Sequence, residues 1–300
     1  MTGYEAFEGY YDMLFGLEVQ GPGLSELRAL FKEAASAKGP VLELACGSGR
    51  ILLPLAAGGI EIYGLDITLP MLKSLTAKAH QHKIEPKIFC ADMRNFGLSK
   101  KFNLIIIPFN SLHHLLSSSD LEKTFQSVYS YLNPSGKLIF TIQNIEKEKD
   151  LTGRLHRVWL CSLRYDSRGD IRKRKFYSII FRPFSIRLKG AVIRILKMFQ
   201  IYVLRKGVGF SPNVRLILIE LLFQYHPELK RVDQCYRVYD SQKPGGQVFQ
   251  WSFSQFDTKT VLSALTNAGF NPIYRFGNYE YVPYEEGKSE YAVWISKRGK

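Results

Sequence analysis

Residues 41–50 read Val41-Leu-Glu-Leu-Ala-Cys-Gly-Ser-Gly-Arg50, an apolar run carrying one carboxylate and ending in a glycine turn. Gly47 and Gly49 permit positive φ and close approach of the backbone to a ligand. A dinucleotide fingerprint would place its third glycine at position 52, which is Leu52. Glu43 also suits a cationic ligand better than a pyrophosphate. Asp66, in IYGLDIT, closes the next apolar run, where a carboxylate can accept both hydroxyls of a ribose. Asp92, in CADMRNF, is placed to meet an adenine edge, and PFNSLHHL (108–115) follows a fourth run. Each feature alone is compatible with an ordinary strand end; four in succession describe a binding crevice.

The elements that must position these residues alternate. An amphipathic helix is predicted at 24–37, with strands at 40–45, 60–66, 87–92, 102–109 and 137–142. Helices separate the strands, and Ser119 with Glu122 reads as a capping box for the helix before the last one. Continuous apolar strands between helices predict a parallel sheet covered on both faces, a doubly wound α/β fold. Beyond residue 150 the pattern turns to hairpins, RVWLCSLRY with RKRKFYSII and YRVYD with QVFQWSFSQF. A helix capped by Asp257 and two closing strands, NPIYRFG and SEYAVWIS, follow. The expected organisation is a core at 1–150, an inserted basic region at 151–256, and a C-terminal part at 257–300 that completes the core sheet.

The net charge of +14 is unevenly spread. Residues 151–240 hold 19 Lys and Arg against 6 Asp and Glu, and the rest of the chain is close to neutral. Cys46, Cys90, Cys161 and Cys235 form no CxxC pair or zinc spacing, so no metal site is expected and a reducing, cytoplasmic compartment is. Glu5, Glu8 and Asp12 precede the first basic residue, Arg28, which argues against a secretory or transit signal.

The stretches ELACGSGR, GLDITLPML, ADMRNF and FNLIIIPFNSLHHL resemble successive motifs of class I S-adenosylmethionine-dependent methyltransferases. Small-molecule, sugar N-methyltransferase-like members match best, over roughly residues 7–145 and 232–298. The resemblance implies a mostly parallel, seven-stranded Rossmann-like sheet with an antiparallel final strand, S-adenosylmethionine as cofactor, and methyl transfer to an oxygen or nitrogen of a small molecule. It implies that Glu43, Ala45, Gly47 and Gly49 hold the methionine end of the cofactor. Asp66 would take the ribose hydroxyls and Ile67 the adenine face. Asp92 and Met93 would meet the adenine amino edge, with Phe109 and Asn110 beneath the transferring methyl. Tyr11 would close over the site. His113 and His114 are candidate bases, and His114 is preferred because a polar residue at that point of the motif faces the acceptor.

Two other readings use the basic charge or the motif set differently. A nucleic-acid or membrane-lipid methyltransferase would exploit the cations, but the Asn/Asp-Pro-Pro-Tyr/Phe motif of base amino-methylating enzymes is replaced here by Pro108-Phe109-Asn110-Ser111. A non-catalytic cofactor-binding protein would keep the motifs without turnover. Residues 182–230 read as an insertion relative to the motifs of that family. Their cations among aliphatic residues predict two helices capping the acceptor side, suited to an anionic or amphiphilic acceptor or to peripheral contact with a membrane.

Overall fold

The computed structural model of the chain describes residues 7, 9–12, 22–143, 155–165, 171–181, 214–240, 243–289 and 291–299. Two compact units emerge, one formed by Met1–Glu148 with Phe253–Lys300 and one by Lys149–Ser252.

In the first unit, helices α1 (Pro22–Ser36), α2 (Leu52–Ala57) and α3 (Leu69–Gln81) alternate with strands β1 (Val41–Leu44), β2 (Ile62–Asp66), β3 (Lys87–Cys90) and β4 (Phe102–Ile107). Helix α4 (Ser118–Tyr131) and strand β5 (Leu132–Gln143) follow. The sheet is completed far along the chain by two strands, Phe270–Phe276 and Tyr291–Arg298, which lie after a helix at Thr258–Asn267. β1 lies between β2 and β4, and all contacts among β1–β5 are parallel. Tyr291–Arg298 inserts antiparallel between β5 and Phe270–Phe276, giving seven strands with an antiparallel last one.

Alternation along the strands explains why the sheet is buried on both faces. Leu42, Leu44, Ile105 and Ile107 pack with Phe125 and Val128 of α4 and Leu265 of the later helix. Val41, Leu104 and Ile106 pack with Leu30 of α1, Leu55 of α2 and Leu75 of α3. Strand order reverses at β1, with β2 and β3 on one side and β4 and β5 on the other, so the connections after β1 and β4 diverge and open a crevice at the carboxyl ends of the strands.

The second unit is a five-stranded sheet. Its strands β6 (Leu155–Tyr165), β7 (Ile171–Phe181), β8 (Val214–His226), β9 (Arg231–Asp240) and β10 (Lys243–Ser254) lie in the order β10-β9-β8-β6-β7. Ile219 faces Val238 and Leu221 faces Tyr236 across an antiparallel ladder, and all four are buried. After α5 (Thr258–Asn267), the closing strands of the first unit become β11 (Phe270–Phe276) and β12 (Tyr291–Arg298).

Three expectations are corrected. The helix predicted within 214–230 is strand β8, because its apolar residues occupy both parities. Such a run suits a central strand as well as a helix, and here it lies between β6 and β9. The helix-capping residue of α4 is Ser117, whose hydroxyl accepts from the Asp120 amide at 3.1 Å, so Ser119 and Glu122 lie inside the helix. Strand β5 begins at Leu132 rather than after the Asn133-Pro-Ser-Gly segment. The remainder of the expected helical insert, residues 182–213, lies outside the described residues. Among the described residues no helix is long and apolar enough to cross a membrane, and no cluster of side chains could hold a metal ion.

Candidate active site

The two glycines of the turn after β1 do different work. A Cβ on Gly49, at φ +87°, would lie 2.9 Å from side-chain carbons of Leu53 and Leu75, so that position is set by packing. A Cβ on Gly47, at φ +52°, would meet nothing within 4 Å. Gly47 therefore presents backbone to open space. Ala45 is also left-handed, at φ +55°, a conformation costly for a residue with a side chain.

Asp66 ties this turn to the end of β2. Its Oδ2 accepts from the Gly47 amide at 2.8 Å and its Oδ1 from the Thr68 amide at 2.7 Å. The Thr68 hydroxyl is a third donor to this carboxylate, which still has accepting capacity left. Burial raises its pKa above the usual carboxylate value, and the two amides only partly offset that. Beside it Ile67 is 59% exposed, an apolar surface offered to solvent.

Glu43 lies on the same strand face as Val41 and is 2% exposed. Its Oε2 is buried with no hydrogen-bond partner. Burial pushes its carboxyl well above the ordinary carboxylate range, and nearby Arg50 only partly offsets this. Leaving a buried acceptor unpaired costs about 1–3 kcal/mol, so the arrangement calls for a donor or a cation.

After β4, Phe109 and Asn110 are consecutive left-handed residues at φ +55° and +57°. The Phe109 amide donates to Glu26 Oε1 at 3.2 Å, and the Asn110 amide to Thr141 Oγ1 at 2.9 Å. Asn110 Oδ1 is buried without a hydrogen-bond partner. Glu26, Tyr279 and Thr141 were not singled out in the sequence. Glu26 reads there as one more polar position of an amphipathic helix, and only the fold brings α1 against the turn after β4.

Asp92 is paired with a neighbouring cation. Its carboxylate is engaged by the Arg94 amide at 2.9 Å and by the Arg94 guanidinium at 2.6 and 3.1 Å, and Arg94 also reaches Asp120 at 3.0 Å. The hydrogen bond to the Arg94 side chain holds the Asp92 pKa below the usual value, against the effect of burial. Met93 packs partly buried against the core on the α4 side of the sheet. Tyr11 lies half-buried on a helical turn at residues 9–12. Asp12 of that turn accepts from the Ser48 hydroxyl and pairs with Lys78 at 2.8 Å, so the turn is fastened to the glycine loop.

The two histidines separate cleanly. His113 is 2% exposed; its Nδ1 bonds the Ser254 carbonyl at 2.5 Å and its Nε2 accepts from the Gln143 amide at 2.9 Å. A carbonyl can only accept and an amide N–H only donates, so His113 is the neutral Nδ1–H tautomer with both nitrogens occupied. It has no nitrogen left for a substrate. His114 is exposed and packs against the Phe253 ring at 4.6 Å.

Burial lowers the His113 pKa from 6.5 to about 4. The unfolded chain then binds the extra proton first, so this residue's contribution to stability is complete above pH 6.5 and is lost as pH falls from there toward 4. Linkage puts the loss between pH 7.5 and pH 5 at about 2 kcal/mol. Glu43 and Asp66, with raised pKa values, act in the opposite direction but equally in a variant. Urea unfolding of wild type and His113→Gln at the two pH values should show the smaller pH loss in the variant. Equal losses would contradict the buried neutral imidazole.

Residues 41–136 match a family described as a methyltransferase domain. YqeM of Bacillus subtilis (strain 168), a relative named as a methyltransferase, is 32% identical over 47% of this chain and 56% of its own length. The dTDP-3-amino-3,6-dideoxy-alpha-D-glucopyranose N,N-dimethyltransferase of Streptomyces fradiae is 26% identical over 44% of this chain and 53% of its own length. The chain thus spans just over half the length of these curated relatives. An S-adenosylmethionine-dependent methyltransferase from Clostridium acetobutylicum ATCC 824 superposes with a TM-score of 0.67 at 16% identity, covering 99% of both chains. Residues 41–136 thus resemble a methyltransferase domain, and the chain is similar in fold to that S-adenosylmethionine-dependent enzyme.

Proposed function

We propose that this protein transfers a methyl group from S-adenosylmethionine to a nitrogen or oxygen of a small-molecule acceptor. The observation that carries the reading is the unpartnered Glu43 Oε2 beside the open backbone of Gly47, within a domain matched to the methyltransferases. A buried carboxyl with one oxygen left unpartnered suits an amino-acid ammonium, and exposed Ile67 next to Asp66 suits an adenosine. The residues fit the cofactor. When bound, it supplies an electrophilic methyl on a sulfonium.

Glu43, Ala45, Gly47 and Gly49 hold the methionine end. Asp66 takes the ribose hydroxyls with its remaining lone pairs, and Ile67 covers the adenine. Asp92 stays with Arg94, leaving Met93 and its backbone to meet the adenine edge. Phe109 and Asn110 flank the reacting end, and Tyr11 closes the turn fastened through Asp12. Holding the acceptor in line supplies most of what such a reaction needs, since orientation can remove about 7–11 kcal/mol of barrier. An amino-sugar acceptor is the chemistry suggested by the Streptomyces fradiae relative, whose name specifies that activity.

Calorimetry with S-adenosylhomocysteine tests the cofactor reading before any acceptor is known. One site per chain is expected, with no competition from NADH. Binding of NADH in preference would overturn it. Tyr11→Ala is expected to speed cofactor release several-fold while leaving the melting temperature near that of wild type.

A further inference from the structure

The turn after β4 holds two adjacent strained residues, and the surroundings must impose that conformation. A closed set of buried groups does so. Glu26 of α1, 5% exposed, accepts from the Phe109 amide at 3.2 Å and the Tyr279 hydroxyl at 2.9 Å through Oε1, and from Arg50 Nη2 at 2.6 Å through Oε2. The Arg50 guanidinium lies 4.4 Å from the centre of the Phe109 ring. The Tyr279 hydroxyl also bonds Thr141, which accepts the Asn110 amide. Both amides of the strained pair, and the ring of one of them, are thus gripped by a single network. Glu26 is its only member that touches Phe109, Tyr279 and Arg50 together. Burial and the adjacent Glu26 push the Tyr279 phenol well up, so it stays a donor to the carboxylate.

Arg50 belongs to the same turn as Gly47 and Gly49. Glu26 therefore couples the turn after β1 to the turn after β4, the two segments that diverge at the crevice. We propose that Glu26 is a positioning residue that sets Phe109 and Asn110 for the cofactor, an inference that rests on the cofactor reading above. It touches no ligand itself. Its effect passes through the Phe109 amide and the Arg50 guanidinium.

Glu26→Gln keeps the shape and an acceptor for Phe109 and Tyr279, but it removes the charge and its NH₂ then faces the Arg50 guanidinium, donor against donor, where Oε2 had accepted at 2.6 Å. Bonds to a charged acceptor are roughly twice as strong as neutral ones, so the grip should loosen without being abolished. In ligand-free protein the Phe109 amide proton should shift upfield, and the melting temperature should fall because the buried Arg50 loses its carboxylate. Calorimetry with S-adenosylhomocysteine should then show Kd raised about tenfold, the equivalent of one lost interaction of this kind. The double variant Glu26→Gln/Arg50→Met, which leaves no unpaired charge, should show the same loss. Wild-type affinity in both variants, with the Phe109 amide displaced, would overturn the proposal. If neither folds, Tyr279→Phe removes a single hydroxyl from the same oxygen, and an unshifted Phe109 amide with unchanged Kd there would overturn it equally. Failure of wild type itself to bind S-adenosylhomocysteine would instead refute the cofactor reading, with the Phe109 shift in Glu26→Gln still reporting on the network.

Discussion

Asp66→Ala should weaken S-adenosylhomocysteine binding at least ~100-fold, through two separable losses each worth about tenfold or more. The first is any bond its remaining lone pairs make to a ligand hydroxyl. The second is internal: without the carboxylate, the Gly47 and Thr68 amides lose acceptors at 2.8 and 2.7 Å, and the glycine turn comes away from the end of β2. Asp66→Asn separates the two. Its amide oxygen can still accept from Thr68, but its NH₂ then faces the Gly47 N–H, donor against donor. The asparagine variant should therefore lose most of the affinity although it is nearly isosteric. Calorimetry on the two variants decides the matter. Wild-type affinity in Asp66→Ala would remove Asp66 from the site, and full retention in Asp66→Asn would show that its hold on the loop is unimportant.

What made Asp66 legible in the sequence was position. A carboxylate ending an apolar run, one βα unit after a glycine turn, has few structural uses, and the alternating pattern placed it at the mouth of a parallel sheet. Glu43 and Gly47 were legible for the same reason. The network around Phe109 was not, because each member has an ordinary local explanation. Glu26 falls among polar residues of α1, Tyr279 in an aromatic closing segment, and their partnership spans 253 positions of sequence. No periodicity encodes that. Asp92 pairs with Arg94 two residues on, a contact that the turn after β3 makes and no periodicity encodes. Strand β8 was missed because an apolar run with residues of both parities carries no period at all. The parallel βα units, by contrast, are encoded in the alternating pattern, and the seven-stranded order with its antiparallel final strand is what the family resemblance implies.

His114→Ala should lower turnover by about 10²-fold or more, the usual worth of a placed proton acceptor, while leaving S-adenosylhomocysteine affinity within about twofold of wild type on the scale where tenfold is 1.4 kcal/mol. The choice between the two histidines rests on their surroundings. His113 has both nitrogens committed to backbone groups and is set inside the core. His114, next along the same short helical turn (Ser111–His114), keeps an exposed side. Desolvation by the surrounding chain, and then the neighbouring His113, lower the His114 pKa. A neutral imidazole at neutral pH can accept a proton as positive charge develops on an attacking nitrogen, or take one from an attacking hydroxyl. Turnover in wild type should consequently show no loss on raising pH from 6.5 to 8, since the imidazole is already unprotonated across that range. His114→Gln, which keeps a polar group of similar size but no basic nitrogen, separates proton transfer from positioning. A loss as large as in His114→Ala assigns the effect to the base. Recovery of turnover in His114→Gln would make the residue a contact for the acceptor instead, and unaltered turnover in both would take it out of the mechanism.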